Sequence, residues 1–324
     1  MRDYWLTQYV LAAVGWGYAL VCVIAIALAL WLPKGKKSKL LATAVVIGLA
    51  SILPFRGYEE YRKGQEAAQD YKARLAKAKA MFAERCKTAG EKIHRTVENV
   101  EGIYLMKLRT TTNFGDQFKL DDPYGHDSTN KEYILNFLRG FYHQRNEPVL
   151  AGSPPRTGYA YVEAIDPMEG LRYRYTGSRK AVGKMDANAP NVQVDLKRDP
   201  NSNLNIYSFV LDRVPAAGNP PRYGVTYDDI STREEREYWI AGSSLKVVDL
   251  QNNEVIAERI GYMVDWAQGS RAGGRSPWLF AADNACPGFQ WNPNIPVTRS
   301  TGGGATEQPG QTLIFIEKVL KPSR

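Results

Sequence analysis

The densest gathering of groups able to move a proton or hold a cation is the ten-residue run Asp121-Asp122-Pro123-Tyr124-Gly125-His126-Asp127-Ser128-Thr129-Asn130. Three carboxylates in a loop could supply oxygens to Ca²⁺, and an imidazole beside an aspartate suits general acid/base work. Asp121, Asp122 and Asp127 are therefore the metal candidates, with Ca²⁺ as the ion. Together with His126 they are the acid/base candidates of a membrane-proximal hydrolase. The order departs from an EF-hand loop, which alternates Asp/Asn around a central Gly. Asp, Pro, Gly, Ser and Asn also build ordinary solvent-exposed turns, which is the simpler reading. Only two further histidines exist, His94 and His143, and neither has the spacing of a zinc site. No catalytic residue is assigned, no cofactor is expected, and the chain reads as a non-enzyme.

A second constellation is Gly269-Ser270-Arg271-Ala272-Gly273-Gly274-Arg275-Ser276, followed by Pro277-Trp278. Glycines allow backbone N–H groups to converge, and Arg271 and Arg275 could fork onto a carboxylate or phosphate with Trp278 beside them. The Lys-Ser/Thr of a Walker loop and the GxSxG of a nucleophile elbow are both missing. A plain mobile connection is the competing reading. In Leu171-Arg172-Tyr173-Arg174-Tyr175 a strand would send tyrosines to one face and arginines to the other, leaving Arg172 and Arg174 for an acidic partner.

The elements that must position these groups begin with two apolar segments. Tyr9–Leu32 is 24 residues without a charge, long enough as a helix to cross the roughly 30 Å hydrocarbon layer. Leu40–Phe55 is shorter, 16 residues or about 24 Å, and crosses only if Lys39 and Arg56 snorkel or the bilayer thins. Between them Lys34, Lys36, Lys37 and Lys39 crowd a tight turn. Short lysine-rich loops stay in the cytoplasm, so the N-terminus and everything after Arg56 are expected outside.

The charge distribution agrees. The chain of 324 residues carries a net +8, of which residues 1–55 hold +4, residues 56–98 another +4, and residues 99–324 balance at 26 basic and 26 acidic groups. The positive excess lies beside the membrane, and the large domain lacks the basic surplus of a nucleic-acid binder. Cys22 falls inside the first apolar segment. Cys86 and Cys286 remain as a candidate disulfide for an oxidising compartment, with two unrelated buried thiols as the alternative.

Residues 58–98 contain no proline and many helix formers. Tyr71, Leu75, Ala78, Phe82, Cys86, Ala89, Ile93 and Val97 form a single stripe at helical spacing. It predicts either an oligomerising coiled coil or a long helix laid on its own domain. From Ile103 the pattern becomes short Tyr-, Val-, Ile- and Thr-rich strands, including Tyr159–Ile165, Leu171–Thr176, Leu204–Val214 and Leu313–Val319. Leu245–Leu250 and Glu254–Glu258 flank a clear hairpin turn at Gln251-Asn252-Asn253. Tyr133–Phe141 is the single plausible helix among them.

No βαβ alternation is evident, so the expected fold is α+β. A transmembrane helical hairpin (1–55) and an amphipathic neck helix (56–98) precede a mainly antiparallel β domain (99–324), a sandwich or open barrel. The expected role is a protein-binding module of the immunity or inhibitor type, anchored in a bacterial inner membrane with its β domain periplasmic. Its partners would be the lipid bilayer and another envelope or exported protein. The rival reading is a self-associating envelope scaffold, a homo-oligomer joined through the spans and neck.

Overall fold

A computed structural model describes residues 2–109, 115–119, 122, 129–139, 158–289 and 310–323. It divides into two compact units, Met1–Ala73 and Arg74–Arg324.

The first unit contains α1 (Arg2–Trp31, 30 residues) and most of α2 (Lys36–Cys86, 51 residues). Both helices are long and apolar enough to cross a membrane. At the turn between them Ser38 Oγ donates to the Gly35 carbonyl at 2.8 Å and accepts the Gly35 N–H at 3.2 Å. Pro54 lies inside α2 and has no N–H to give the carbonyl one turn earlier, that of Ala50. The hydroxyl of Tyr18 on α1 donates to that carbonyl instead. A backbone defect in one helix is thus satisfied by a side chain of the other.

The second unit begins with the last turns of α2. The helix ends at Cys86 rather than continuing to 98, and the end of the predicted stripe becomes β1 (Gly90–Ile93) and β2 (Val97–Val100). Gly90 sits at φ +145°, a conformation side chains disfavour, where the chain passes from helix to strand. The helical spacing of Ile93 and Val97 is overridden because the edge of β9 (Glu254–Val264) offers β1 a ladder, Gly90 opposite Ile260 and Ile93 opposite Ala257.

The other strands are β3 (Gly102–Leu105), β4 (Tyr161–Ile165), β5 (Arg172–Lys184), β6 (Asn205–Pro215), β7 (Tyr223–Asp229), β8 (Ile240–Asp249), β10 (Ala285–Cys286) and β11 (Leu320–Pro322). The helices are α3 (Asn130–Arg139), α4 (Pro190–Arg198), α5 (Arg233–Glu237), α6 (Pro277–Ala281) and α7 (Gln311–Val319).

One sheet runs in the order β1-β9-β8-β7-β3-β4-β5-β6, with β10 also on β9. It is mixed, which corrects the antiparallel expectation. The hairpins β4–β5, β5–β6, β7–β8 and β8–β9 are antiparallel, but β3 is parallel to both its neighbours, β4 and β7. The passage from β3 through α3 to β4 is a βαβ crossover. Its connections are too long to show as βαβ alternation in the sequence. The run Leu313–Val319, expected as a strand, is helical. Leu313, Phe315, Ile316 and Val319 are all buried, and a short apolar run enclosed on most sides shows no clear period. Residues 181–203 carry the end of β5 and all of α4.

Alternation along the strands sorts the core. Ile103, Leu105, Val162, Ala164, Val225, Leu245 and Val247 pack with Tyr133, Ile134 and Phe137 of α3 and with the buried residues of α7. On the opposite face of β8 and β9, Ile240, Tyr262 and Val264 meet Met81 and Phe82 of α2. Phe82 stands edge-on to Trp266 at 5.5 Å, and Ala78 is fully buried. Here the stripe lies on its own domain. Cys86 and Cys286 form a disulfide with Cα atoms 5.6 Å apart. β1 and β10 pair end to end with the same edge of β9, which brings the two cysteines together.

Tyr18→Phe should leave the Ala50 carbonyl unpaired in apolar surroundings and weaken the pairing of α1 with α2 by about 1 kcal/mol. An SDS titration of the purified chain in mild detergent, read by helicity and by labelling of Cys22, should show an earlier transition.

Candidate functional site

Among the described residues of the second unit, Asp122, Glu163, Glu235, Asp249 and Asp265 are carboxylates no more than 2% exposed. An unpaired buried carboxylate is too costly to remain ionised, and each of these has arginine beside it. Their geometry decides what the predicted site residues can do.

Asp265, just after β9, is the anion at the centre of the glycine-rich loop. Its two oxygens accept the N–H groups of Ala267 at 3.1 Å and Gly269 at 2.8 Å. Arg275 forks onto the same carboxylate at 2.6 and 3.0 Å. The convergence of N–H groups and a guanidinium read from the sequence is therefore present, with the protein's own carboxylate as occupant. Gly269 has φ +81°, and a Cβ there would lie 2.3 Å from the Trp239 indole, so glycine is required by close packing. Arg271 donates to the Gly115 carbonyl at 2.6 Å. Trp278 is fully buried, 5.0 Å from the Trp239 ring centre, and its indole N–H donates to the Asp116 carbonyl at 2.8 Å. The exposed aromatic of α6 is Phe280, with the Arg275 guanidinium 4.8 Å from its ring centre.

Glu163 on β4 sits in register with Arg174 on β5, and Ile165 with Arg172. Arg174 donates to Glu163 Oε1 through Nε at 2.9 Å and Nη2 at 2.8 Å, while Arg172 Nε lies 3.2 Å from Oε2. Arg174 also stacks 4.1 Å from the Tyr161 ring centre. Tyr175 turns to the core as expected, and the two arginines expected to meet an acidic partner meet Glu163 of their own sheet.

Asp122 pairs with Arg109, which also donates to Thr312 Oγ1 at 2.9 Å. The Arg109 guanidinium lies 4.5 Å from the Tyr133 ring centre and 5.0 Å from that of Tyr227. Burial pushes the Asp122 carboxyl up, but Arg109, the neighbouring Ser243 hydroxyl and the nearby Arg259 together hold it below its ordinary value. A carboxylate so committed is a counter-ion, poorly placed to exchange protons or reach a solvated cation. Arg259 in turn donates to the Gln311 carbonyl at 2.6 Å, tying β9 to the start of α7.

Asp121, His126, Asp127 and His143 lie outside the described residues. His94 is exposed, and among the described residues no three His, Cys, Asp or Glu side chains gather as a metal site.

Asp249 ends β8. Arg222 forks onto it at 2.8 and 3.0 Å and Arg95 reaches it at 2.6 Å, so one carboxylate ties together the approach to β2, the approach to β7 and the β8–β9 turn. Arg222, with help from the Gln251 N–H and Arg95, lowers its pKa to about 2. Glu235 pairs with Arg85 of α2 and closes a capping box with Thr232, accepting that residue's N–H at 2.6 Å.

Sequence reasoning missed Arg109, Ser243, Arg259 and Thr312. A trace was available in β9, where Arg259 follows Ala257 at the two-residue period of a core-facing position.

Comparisons with protein-family models, with curated proteins and with solved structures returned no match.

Asp122→Asn should cost about 3–5 kcal/mol by removing one charge of a buried ion pair with Arg109. The double variant with Arg109→Met should recover part of that loss in thermal unfolding of the full chain. Asp249 has a depressed pKa, so its contribution is complete above 3.8 and is lost as pH falls through about 2. The difference in melting temperature between the wild-type chain and Asp249→Asn should therefore be constant above pH 4.5 and shrink on acidification.

Proposed function

We propose that the chain is a membrane-anchored, extracytoplasmic protein-binding module without catalytic activity, of the immunity or inhibitor type, held in a bacterial inner membrane with its sheet domain in the periplasm. The observation that carries this reading is the Cys86–Cys286 disulfide in the same chain as two helices long and apolar enough to cross a membrane. Disulfides persist in oxidising compartments, and in the chain-entropy model a bridge across 200 residues stabilises by about 5 kcal/mol. The lysine turn at residues 34–39 supports the same orientation, with that turn cytoplasmic and the sheet domain outside.

Recognition is assigned to the hairpin of β5 and β6 with α4 at its end. β4 accompanies β5 only from Arg172 to Tyr175, so β5 and β6 continue beyond it as a two-stranded arm. Val182, Met185, Val194 and Ile206 on this arm are 40–56% exposed, and a large exposed apolar surface on a polar arm marks an interaction surface. The arginines, by contrast, are occupied internally, so recognition would rest on apolar contact and main-chain pairing rather than on a basic patch.

A C-terminal alkaline phosphatase fusion should be active and a C-terminal GFP fusion dark. Cys86 and Cys286 should resist alkylation until reductant is added. A fluorescent GFP fusion with freely alkylated thiols would overturn the reading. Proximity labelling from the arm should then recover an envelope or exported protein.

A further inference from the structure

β6 is the last strand of the sheet, and among the described residues its outer edge pairs with nothing. The strand is 11 residues long, and Asn205-Ile206-Tyr207-Ser208-Phe209-Val210-Leu211 carries no charge, no proline and no glycine. Proteins commonly blunt such edges with lysine, proline or a bulge, because a bare uncharged edge of high β-propensity recruits another strand. Asp212, Arg213 and Pro215 blunt only the end of this one. The Asp212 carboxylate is taken by Lys180 at 2.8 Å, and Arg213 is taken by Asp166 and Glu169 at 2.9 and 2.7 Å.

We propose that β6 pairs antiparallel with β6 of a second copy of this chain, about a two-fold axis at Val210. The strand is self-complementary in that register. Val210 is its middle residue, so the whole of Asn205–Pro215 is matched. Val214, 58% exposed, falls opposite Ile206, 45% exposed, of the second copy. Phe209 falls opposite Leu211 on the other face. Aromatic–aliphatic and β-branched pairs of this kind are what stabilise neighbouring strands. Asp212 falls opposite position 208, which is uncharged. An axis at Asp212 or at Arg213 would instead set like charges face to face.

The surface is isologous, the geometry of the commonest closed dimers. A ladder of this length buries little area, but two copies confined to one membrane meet at a high effective concentration. The pairing is distinct from the association through spans and neck, and it does not depend on which side of the membrane the sheet domain occupies.

The test uses the full chain in native membranes with Cys22→Ser as background. Val210→Cys should give, on mild oxidation, a reducible band at twice the chain mass, while Val194→Cys on α4, 50% exposed, should give none. Val210→Lys, which sets two ammonium groups face to face on the axis, should abolish co-purification of two differently tagged copies. An alkylation-resistant Cys86–Cys286 pair shows that this variant is folded. A Val210→Cys chain that stays monomeric, or that crosslinks to a species of another mass, overturns the proposal. Equal crosslinking at Val194→Cys, or co-purification that survives Val210→Lys, also overturns it. A failure here leaves the anchored-module reading standing, since that is judged by the fusions and the thiols.

Discussion

Buried carboxylates clasped by arginine are the constraint on which the sheet domain depends. Glu163 binds β4 to β5, Asp249 ties the approaches to β2 and β7 to the β8–β9 turn, and Asp265 orders the loop before α6. Asp122 fastens a loop to the layer of α3 and α7, and Glu235 receives α2 through Arg85. Such pairs add little net stability over apolar packing, because desolvation consumes most of the Coulomb energy. Their force lies in what they forbid. Any arrangement that separates the partners leaves a charge buried alone, so a misregistered strand is penalised by several kcal/mol. Arginine suits the role because its planar fork meets both carboxylate oxygens at once.

This explains how Arg172, Arg174 and Arg275 come to be engaged within a domain of balanced charge. Arg172, Arg174 and Arg275 have the right type and spacing to bind an anion, and each does bind one. The anions are Glu163 and Asp265, supplied by the same fold. The exposed apolar side chains of this domain include Val182, Met185, Val194 and Ile206 on the β5–β6 arm.

The helical unit obeys a related rule. Pro54 interrupts the hydrogen-bond ladder of α2, and Tyr18 of α1 repairs it. In both units a polar group left over by one element is satisfied by another distant in sequence. The disulfide does covalently at one edge of β9 what the ion pairs do elsewhere, joining the helix end at Cys86 to β10.

The apolar lengths of the two N-terminal segments, the lysine turn, the location of the excess charge and the hairpin at Gln251-Asn252-Asn253 were legible from residue order alone, because each depends on neighbours within a few positions. The stripe at Ala78, Phe82 and Cys86 was equally legible, although it does not extend to Val97. What tertiary structure decided was everything set by partners far along the chain. That includes the parallel pairing of β3 with β4 and β7, the helical state of Leu313–Val319, the burial of Trp278, and the conversion of Arg172, Arg174 and Arg275 from apparent ligand-binding groups into internal counter-ions. Periodicity and composition report local preference, whereas strand order and ion pairing depend on which distant groups must be removed from water together, and only the folded chain brings those groups into contact.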